Sequence, residues 1–172
     1  METLPLPVMS LELDGGTVEA RVLALWGEHG RRLYGYALGL VAAPADAEDV
    51  VQDVFLRLAQ HLGRGGDDTN LPAWLFRVTT NLCRDVVRSR VRRQGEPPEL
   101  AAAAGGDALE RIAFQRVLAR LDERDRRLVL LRGLGLSQAE MAEVAGIRPS
   151  SVGKTLARAL DRFIAEYRRE GG

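Results

Sequence analysis

The sequence predicts an all-α protein of two small helical domains joined by a flexible linker, the second of them a helix-turn-helix domain. Three observations carry this prediction. Apolar residues recur at helical spacing through almost the whole chain, while strict alternation and hairpin turn pairs are missing. A Pro97-Pro98 pair and an Ala/Gly run split the chain into two helix-rich blocks. In the second block a short capped helix, a turn holding Gly146 and a longer helix follow one another.

Taken in order, residues 1–16, with Pro5, Pro7, Gly15 and Gly16, read as a mobile leader. The spacing predicts helices over about 17–27 and 29–41. Pro44 opens the next helix, about 44–62, at a position where its missing N–H costs nothing. A Gly-rich loop, Gly63 to Asp68, precedes a long helix over about 71–93. Residues 94–107, uncharged from Leu100 to Gly106, are the expected linker; a surface loop inside one domain is the other reading. Helices follow over about 108–120, 122–132, 137–145 and 149–169. Asp122 is a plausible N-cap, and Ser137-Gln138-Ala139-Glu140 has capping-box spacing. Gly133, Gly135 and Gly146 fall at the breaks. The expected domains are therefore 17–93 and 108–172.

The 172 residues suffice for one domain or two of about 80. They carry 24 Lys+Arg against 24 Asp+Glu, a formal net charge of zero, and Lys154 is the only lysine. Neutrality hides an asymmetry. Residues 1–60 hold 9 acids and 4 bases, residues 61–98 hold 4 and 7, and residues 99–172 hold 11 and 13. An acidic block and two basic blocks suggest different partners for different parts of the chain. The single cysteine, Cys83, cannot close an internal disulfide, which favours a reducing, cytoplasmic setting. His29 and His61 are isolated, so neither a metal nor a cofactor is expected. No apolar run approaches the ~20 residues of a membrane span, and Met1-Glu2-Thr3 lacks the basic start of a secretory signal. No nucleophile–base pair or phosphate-binding glycine loop appears, so neither an enzyme nor a small-molecule substrate is expected.

Three helix faces carry chemistry. On the helix over 71–93, Leu75, Val78, Leu82 and Val86 form an apolar stripe. Opposite lie Arg77, Asn81, Arg84, Arg88 and Arg92, with Trp74 at the N-terminal end. Arginine binds phosphate bidentately, asparagine reads base edges and tryptophan stacks on unpaired bases. A solvated face with Trp74 folded into a domain edge fits the same wheel. On the helix over 44–62, Asp49, Gln52, Asp53 and Leu56 share a face, acidic with one outward leucine, suited to a basic helical partner. An acidic solvated face, with Leu56 covered by the chain itself, stays open there. In the helix-turn-helix, Val152, Leu156, Ala159, Leu160 and Phe163 face inward. Ser150, Ser151, Lys154, Thr155, Arg158 and Arg162 face outward, where a recognition helix meets the major groove.

Taken together these residues resemble bacterial sigma factors of the extracytoplasmic-function (group IV, sigma-70-like) type. The likeness rests on Leu33-Tyr34-Gly35-Tyr36-Ala37-Leu38, Asp46 to Phe55, Leu71-Pro72-Ala73-Trp74-Leu75-Phe76-Arg77-Val78-Thr79-Thr80-Asn81, Leu121 to Arg127 and the helix-turn-helix. It implies a subunit that binds core RNA polymerase and directs promoter recognition and DNA melting. Asp49, Gln52, Asp53 and Leu56 would then dock on the coiled coil of the β′ subunit. Trp74, Arg77, Asn81, Arg84, Arg88 and Arg92 would capture the melted −10 strand. Arg148, Ser150, Ser151, Lys154, Thr155 and Arg158 would meet the −35 element. The β flap and an anti-sigma factor are further implied partners. Gly153 stands where the family commonly has a long basic side chain. A stand-alone helix-turn-helix regulator and a degenerate sigma-like polymerase-binding protein are the alternatives.

Overall fold

A computed structural model describes residues 16–67, 69–94 and 108–170. Seven helices and no strand form among the described residues. α1 (Gly16–Val41), α2 (Pro44–Gly63) and α3 (Leu71–Gln94) make one bundle. α4 (Ala108–Arg120), α5 (Glu123–Gly133), α6 (Gln138–Ala145) and α7 (Pro149–Arg169) make a second. The all-α expectation holds. All but the last residue of the expected leader, and all but the first of the expected linker, lie outside the described residues.

One boundary departs from the sequence reading. The helices expected over 17–27 and 29–41 are a single helix of 26 residues. Gly27 and Gly30 each cost about 1 kcal/mol inside a helix. Against that, Val22, Leu33, Tyr36, Ala37, Leu40 and Val41 are buried along one continuous stripe. Each large apolar side chain buried contributes roughly 1.5–3 kcal/mol, so burial outweighs the glycines. Trp26 adds an edge-on contact with Phe55 of α2, ring centroids 4.7 Å apart.

The first bundle closes around Tyr36. Its hydroxyl shares a hydrogen bond of 2.9 Å with Thr80 of α3, and its ring meets Phe76 edge-on at 5.4 Å. Burial raises the Tyr36 phenol above its ordinary value and pushes the neighbouring Cys83 thiol up to about 12. The α1–α2 reversal passes through Ala42 at φ 57°, a left-handed conformation unusual for alanine. Arg90 near the end of α3 ties this corner down. It donates to the Val41 carbonyl at 3.0 Å and pairs with Asp46 in the first turn of α2.

In the second bundle the predicted caps form. Asp122 accepts from the Asp125 backbone N–H at 2.8 Å. Ser137 and Glu140 make a full capping box, the Glu140 carboxylate accepting from the Ser137 backbone N–H at 2.7 Å. Those bonds hold the Glu140 carboxyl below its ordinary value. Gly146 ends α6 at φ 64°, a left-handed turn that glycine adopts without strain. Arg126 donates to the carbonyls of Leu118, Ala119 and Leu121, stitching the end of α4 to α5.

The two bundles also meet. α1 packs on α5, and α3 packs on α6. α5 buries Leu128, Val129, Leu130 and Leu131 in succession, too many for one face. Leu128 and Leu131 fall on one side of the helix and Leu130 on another, against Gly39 of α1. A Cβ at Gly39 would lie 2.6 Å from a Leu130 methyl, so a side chain there would force Leu130 to move. Arg32 adds a hydrogen bond of 2.8 Å to the Leu134 carbonyl.

His29 lies in α1 among Glu28, Arg32 and Glu140. It is only 3 % exposed, and its Nδ1 has no hydrogen-bond partner. Burial is the main cause holding its pKa below the ordinary 6.5. The unfolded chain therefore takes up this proton first, and the stability it contributes is complete above the ordinary value and lost as pH falls below it. Urea denaturation should give a lower midpoint at about pH 5.5 than at about pH 7.5, with that component removed in His29→Leu. The same pH dependence in variant and wild type would contradict this assignment.

Candidate functional site

α2 and α3 run side by side and leave a groove of ≈ 280 Å³ between them. Asp49, Gln52, Asp53 and Leu56 of α2 form one wall, and Leu82 and Val86 of α3 reach it from the other. Asp49 and Asp53 are exposed, while Gln52 and Leu56 are half-buried. The face predicted from the α2 wheel is thus the carboxylate rim of an apolar trough. Leu82 and Val86 had been assigned to the core stripe of α3. That placement follows correctly from period 3.6, but a wheel gives no depth, and their edges line the groove.

The arginine stripe of α3 is partly free and partly engaged. Asn81, Arg88 and Arg92 are exposed, and Arg88 lies 3.9 Å from Asp85 on its own helix. Arg77 pairs with Glu143 of α6 at 3.6 Å, and Arg84 pairs with Glu123 at the start of α5. Asn70, just before α3, donates to the same Glu143 at 2.6 Å. The stripe therefore faces the second bundle at its N-terminal end and middle. A cavity of ≈ 570 Å³ remains along this seam, with Cys83, Arg84, Arg88, Glu123 and Arg126 among its walls.

Trp74 sits at the head of the stripe, half-buried and not fully outward. One face of its indole stacks on His61 at 4.8 Å and 26°. His61 in turn bonds the Asp67 carbonyl at 2.8 Å through Nε2. A Cβ at Gly66 would collide with this imidazole, so a side chain at that point would displace the ring. His61 was not identified from sequence, because its contact with Trp74 is made across a loop.

The helix-turn-helix consists of α6 and α7. Met141, Ala142 and Val144 of α6 and Val152, Leu156 and Ala159 of α7 are buried, and the smallness of Ala142 suits the crossing. Arg148, Ser150, Lys154 and Arg158 are exposed, whereas Ser151 and Thr155 are half-buried. The Thr155 hydroxyl donates to the Ser151 carbonyl at 2.7 Å, spending its proton within the helix. Arg162 pairs with Asp122 and the buried Asp125, and these carboxylates raise its pKa. It braces α7 against α5. A Cβ at Gly153 would meet only the Gln138 side-chain nitrogen, at 3.8 Å.

Among the described residues no group of His, Cys, Asp and Glu is arranged to hold a metal ion, and no helix is long and apolar enough to cross a membrane.

Comparisons with known proteins match two parts of the chain. The sigma-70 region 2 family matches residues 25–93, and the sigma-70 region 4 family matches residues 111–163. The ECF RNA polymerase sigma factor SigL of Mycobacterium tuberculosis is 36% identical over 144 residues, covering 77% of this chain and 81% of SigL. The sigma factor CnrH of Cupriavidus metallidurans is 32% identical over 160 residues, 82% of this chain and 83% of CnrH. A solved structure of CnrH with the cytosolic domain of CnrY matches with TM-score 0.68 and 28% identity, covering 86% of this chain and 87% of that one. A structure of the sigma factor RpoE with the anti-sigma factor NepR, from Bartonella quintana, shares the fold at TM-score 0.73 and 23% identity, covering 90% of this chain and 98% of that one.

Because Gly153 is a helical glycine with room for a methyl, Gly153→Ala should raise stability by about 1 kcal/mol. In a chain of this size that corresponds to roughly 2–4 °C in Tm. A lower Tm would mean that α7 is held in a backbone geometry that alanine cannot share.

Proposed function

Because the chain belongs to the extracytoplasmic-function family of RNA polymerase sigma factors, whose members direct transcription initiation, we propose that it divides this work among three faces. The α2–α3 groove docks core polymerase, the α3 stripe holds the melted −10 strand, and α7 meets the −35 element. The observation that carries this reading is the two-sidedness of α3. Leu82 and Val86 open into an acid-rimmed groove on one side, and four arginines and Asn81 line the other.

The groove suits the β′ coiled coil. Apolar floor and carboxylate rim favour a basic amphipathic helix, and the same carboxylates repel DNA phosphates. On the opposite side, Asn81 is placed to meet an extruded base while arginines neutralise phosphates. Each phosphate so neutralised contributes a log–log salt slope of about −0.7 to −0.9. Binding of flipped bases offsets the few kcal/mol lost on unstacking, so melting needs no chemistry from this chain. The polymerase supplies the catalysis, and the chain is not an enzyme. On α7, Lys154 and Arg158 with Arg148 and Ser150 are the outward groups nearest a major groove. With Gly153 contributing no side chain, −35 readout is weighted toward them.

The domains divide as 17–93 and 108–172, with 94–107 as the linker and 1–16 as a leader of unassigned role. The β flap and an anti-sigma factor complete the set of partners; one structural neighbour, the sigma factor RpoE, is bound to the anti-sigma factor NepR. The setting is the cytoplasm, where core polymerase resides. A stand-alone helix-turn-helix regulator would have no use for the region 2 half or its groove.

Asp53→Arg should abolish binding to core polymerase in a pull-down while leaving the helical circular dichroism unchanged. Retained core affinity would remove the groove from the docking surface. Asn81→Ala should bind core normally but form fewer open complexes, read by permanganate footprinting of the melted strand. Equal open-complex formation would take Asn81 out of the −10 site.

A further inference from the structure

We infer that Gln138 of α6 is a specificity-determining residue, an amide that reads adenine in the −35 major groove beside Gly153 of α7. The inference rests on the assignment of α7 to the −35 element.

In the major groove adenine is matched by a side-chain amide, which donates to N7 and accepts from the N6 amino group. α7 holds neither asparagine nor glutamine in its 21 residues. Its exposed cations, Lys154 and Arg158, suit phosphate or guanine instead. Ser151 is half-buried, and Thr155 has spent its hydroxyl proton on the Ser151 carbonyl. α7 alone therefore has no group that pairs bidentately with adenine.

The preceding helix supplies one. A Cβ built on Gly153 has a single neighbour within 4 Å, the Gln138 side-chain nitrogen at 3.8 Å. The amide thus lies at the root of the side chain that residue 153 lacks. Ser150, Gly153 and Ala157, spaced i, i+3 and i+7, give α7 a flank of small groups beside the outward Lys154. A long side chain at 153 would compete with the amide for this space.

The backbone under Gln138 is fixed. Gln138 is the first residue of α6, directly after the Ser137 cap, and the Ser137–Glu140 capping box secures that end. Met141 and Ala142, three and four positions on, share its face of the helix and are buried at the crossing with α7. The side chain therefore leaves α6 on the α7 side, while the residue itself stays exposed. Among the described residues its amide makes no hydrogen bond, so donor and acceptor are both open to a base edge.

The test uses holoenzyme assembled from core polymerase and the full chain. A duplex library randomised through the −35 and −10 segments is bound, and the retained DNA is sequenced. The unmodified chain should enrich adenine at one −35 position. Gln138→Ala should relax that preference about tenfold and leave the other positions unchanged. Gln138→Glu should move it from adenine to cytosine, because a carboxylate accepts from the cytosine amino group. Both substitutions suit the first turn of a helix, so the circular dichroism should not change. Identical base preferences in all three chains would overturn the inference. So would a uniform loss of affinity in Gln138→Ala, the mark of a phosphate contact. Lys154→Ala with Arg158→Ala should weaken binding through the −35 segment whatever its sequence. If −35 enrichment and affinity are untouched by that pair, α7 is not the helix in the groove, and the underlying assignment fails rather than the role of Gln138 alone.

Discussion

α1 has to bury itself twice. Its stripe from Val22 to Val41 packs on α2 and α3 and forms the heart of the first bundle. The same helix then meets α5 of the second bundle. At the second contact the α1 backbone comes close to its partner. Gly39 provides that approach, and Leu130 takes the space. The position of α5 on α1 in turn sets where the start of α5, with Glu123, and α6, with Glu143, lie relative to α3.

α3 is the second element on which the functional reading depends. It presents an apolar edge to the groove and a polar, arginine-rich edge over the same turns. The two proposed binding faces thus lie back to back on one helix, with a helix diameter between them. This arrangement also explains how a chain with no net charge can serve as a DNA-binding subunit. Acidic groups concentrate on α2, and basic groups on α3 and α7. Only the local field at each face matters once the Debye length, about 8–10 Å in physiological salt, is shorter than the spacing of the faces.

Most helices were legible from sequence because their signals are local. The 3.6 periodicity, Pro44 and Pro149 at helix starts, the Asp122 cap and the Ser137–Glu140 capping box each act within a few residues. α1 was misread as two helices because glycine propensity is a local signal too, whereas the burial that overrides it comes from α2, α3 and α5. The site was legible by face but not by depth. The wheel found Asp49, Gln52, Asp53 and Leu56, yet could not tell that Leu82 and Val86 open between α2 and α3. Nothing local could have paired Arg84 with Glu123 or Arg77 with Glu143, which lie 39 and 66 positions further along the chain. Trp74 was placed outward by its angle, and its stack on His61 depends on a loop fold set by Gly66.

α3 and α4 belong to one polypeptide, so the bundles meet at a local concentration in the millimolar range for a short tether, whatever the number of copies in the cell. Exposed ion pairs such as those at the seam would not by themselves hold two separate proteins together at cellular dilution. Within one chain the same contacts suffice, and dilution cannot loosen them. Expressing more of the protein leaves the contact between the bundles unchanged. The strength of that contact is written in the seam itself.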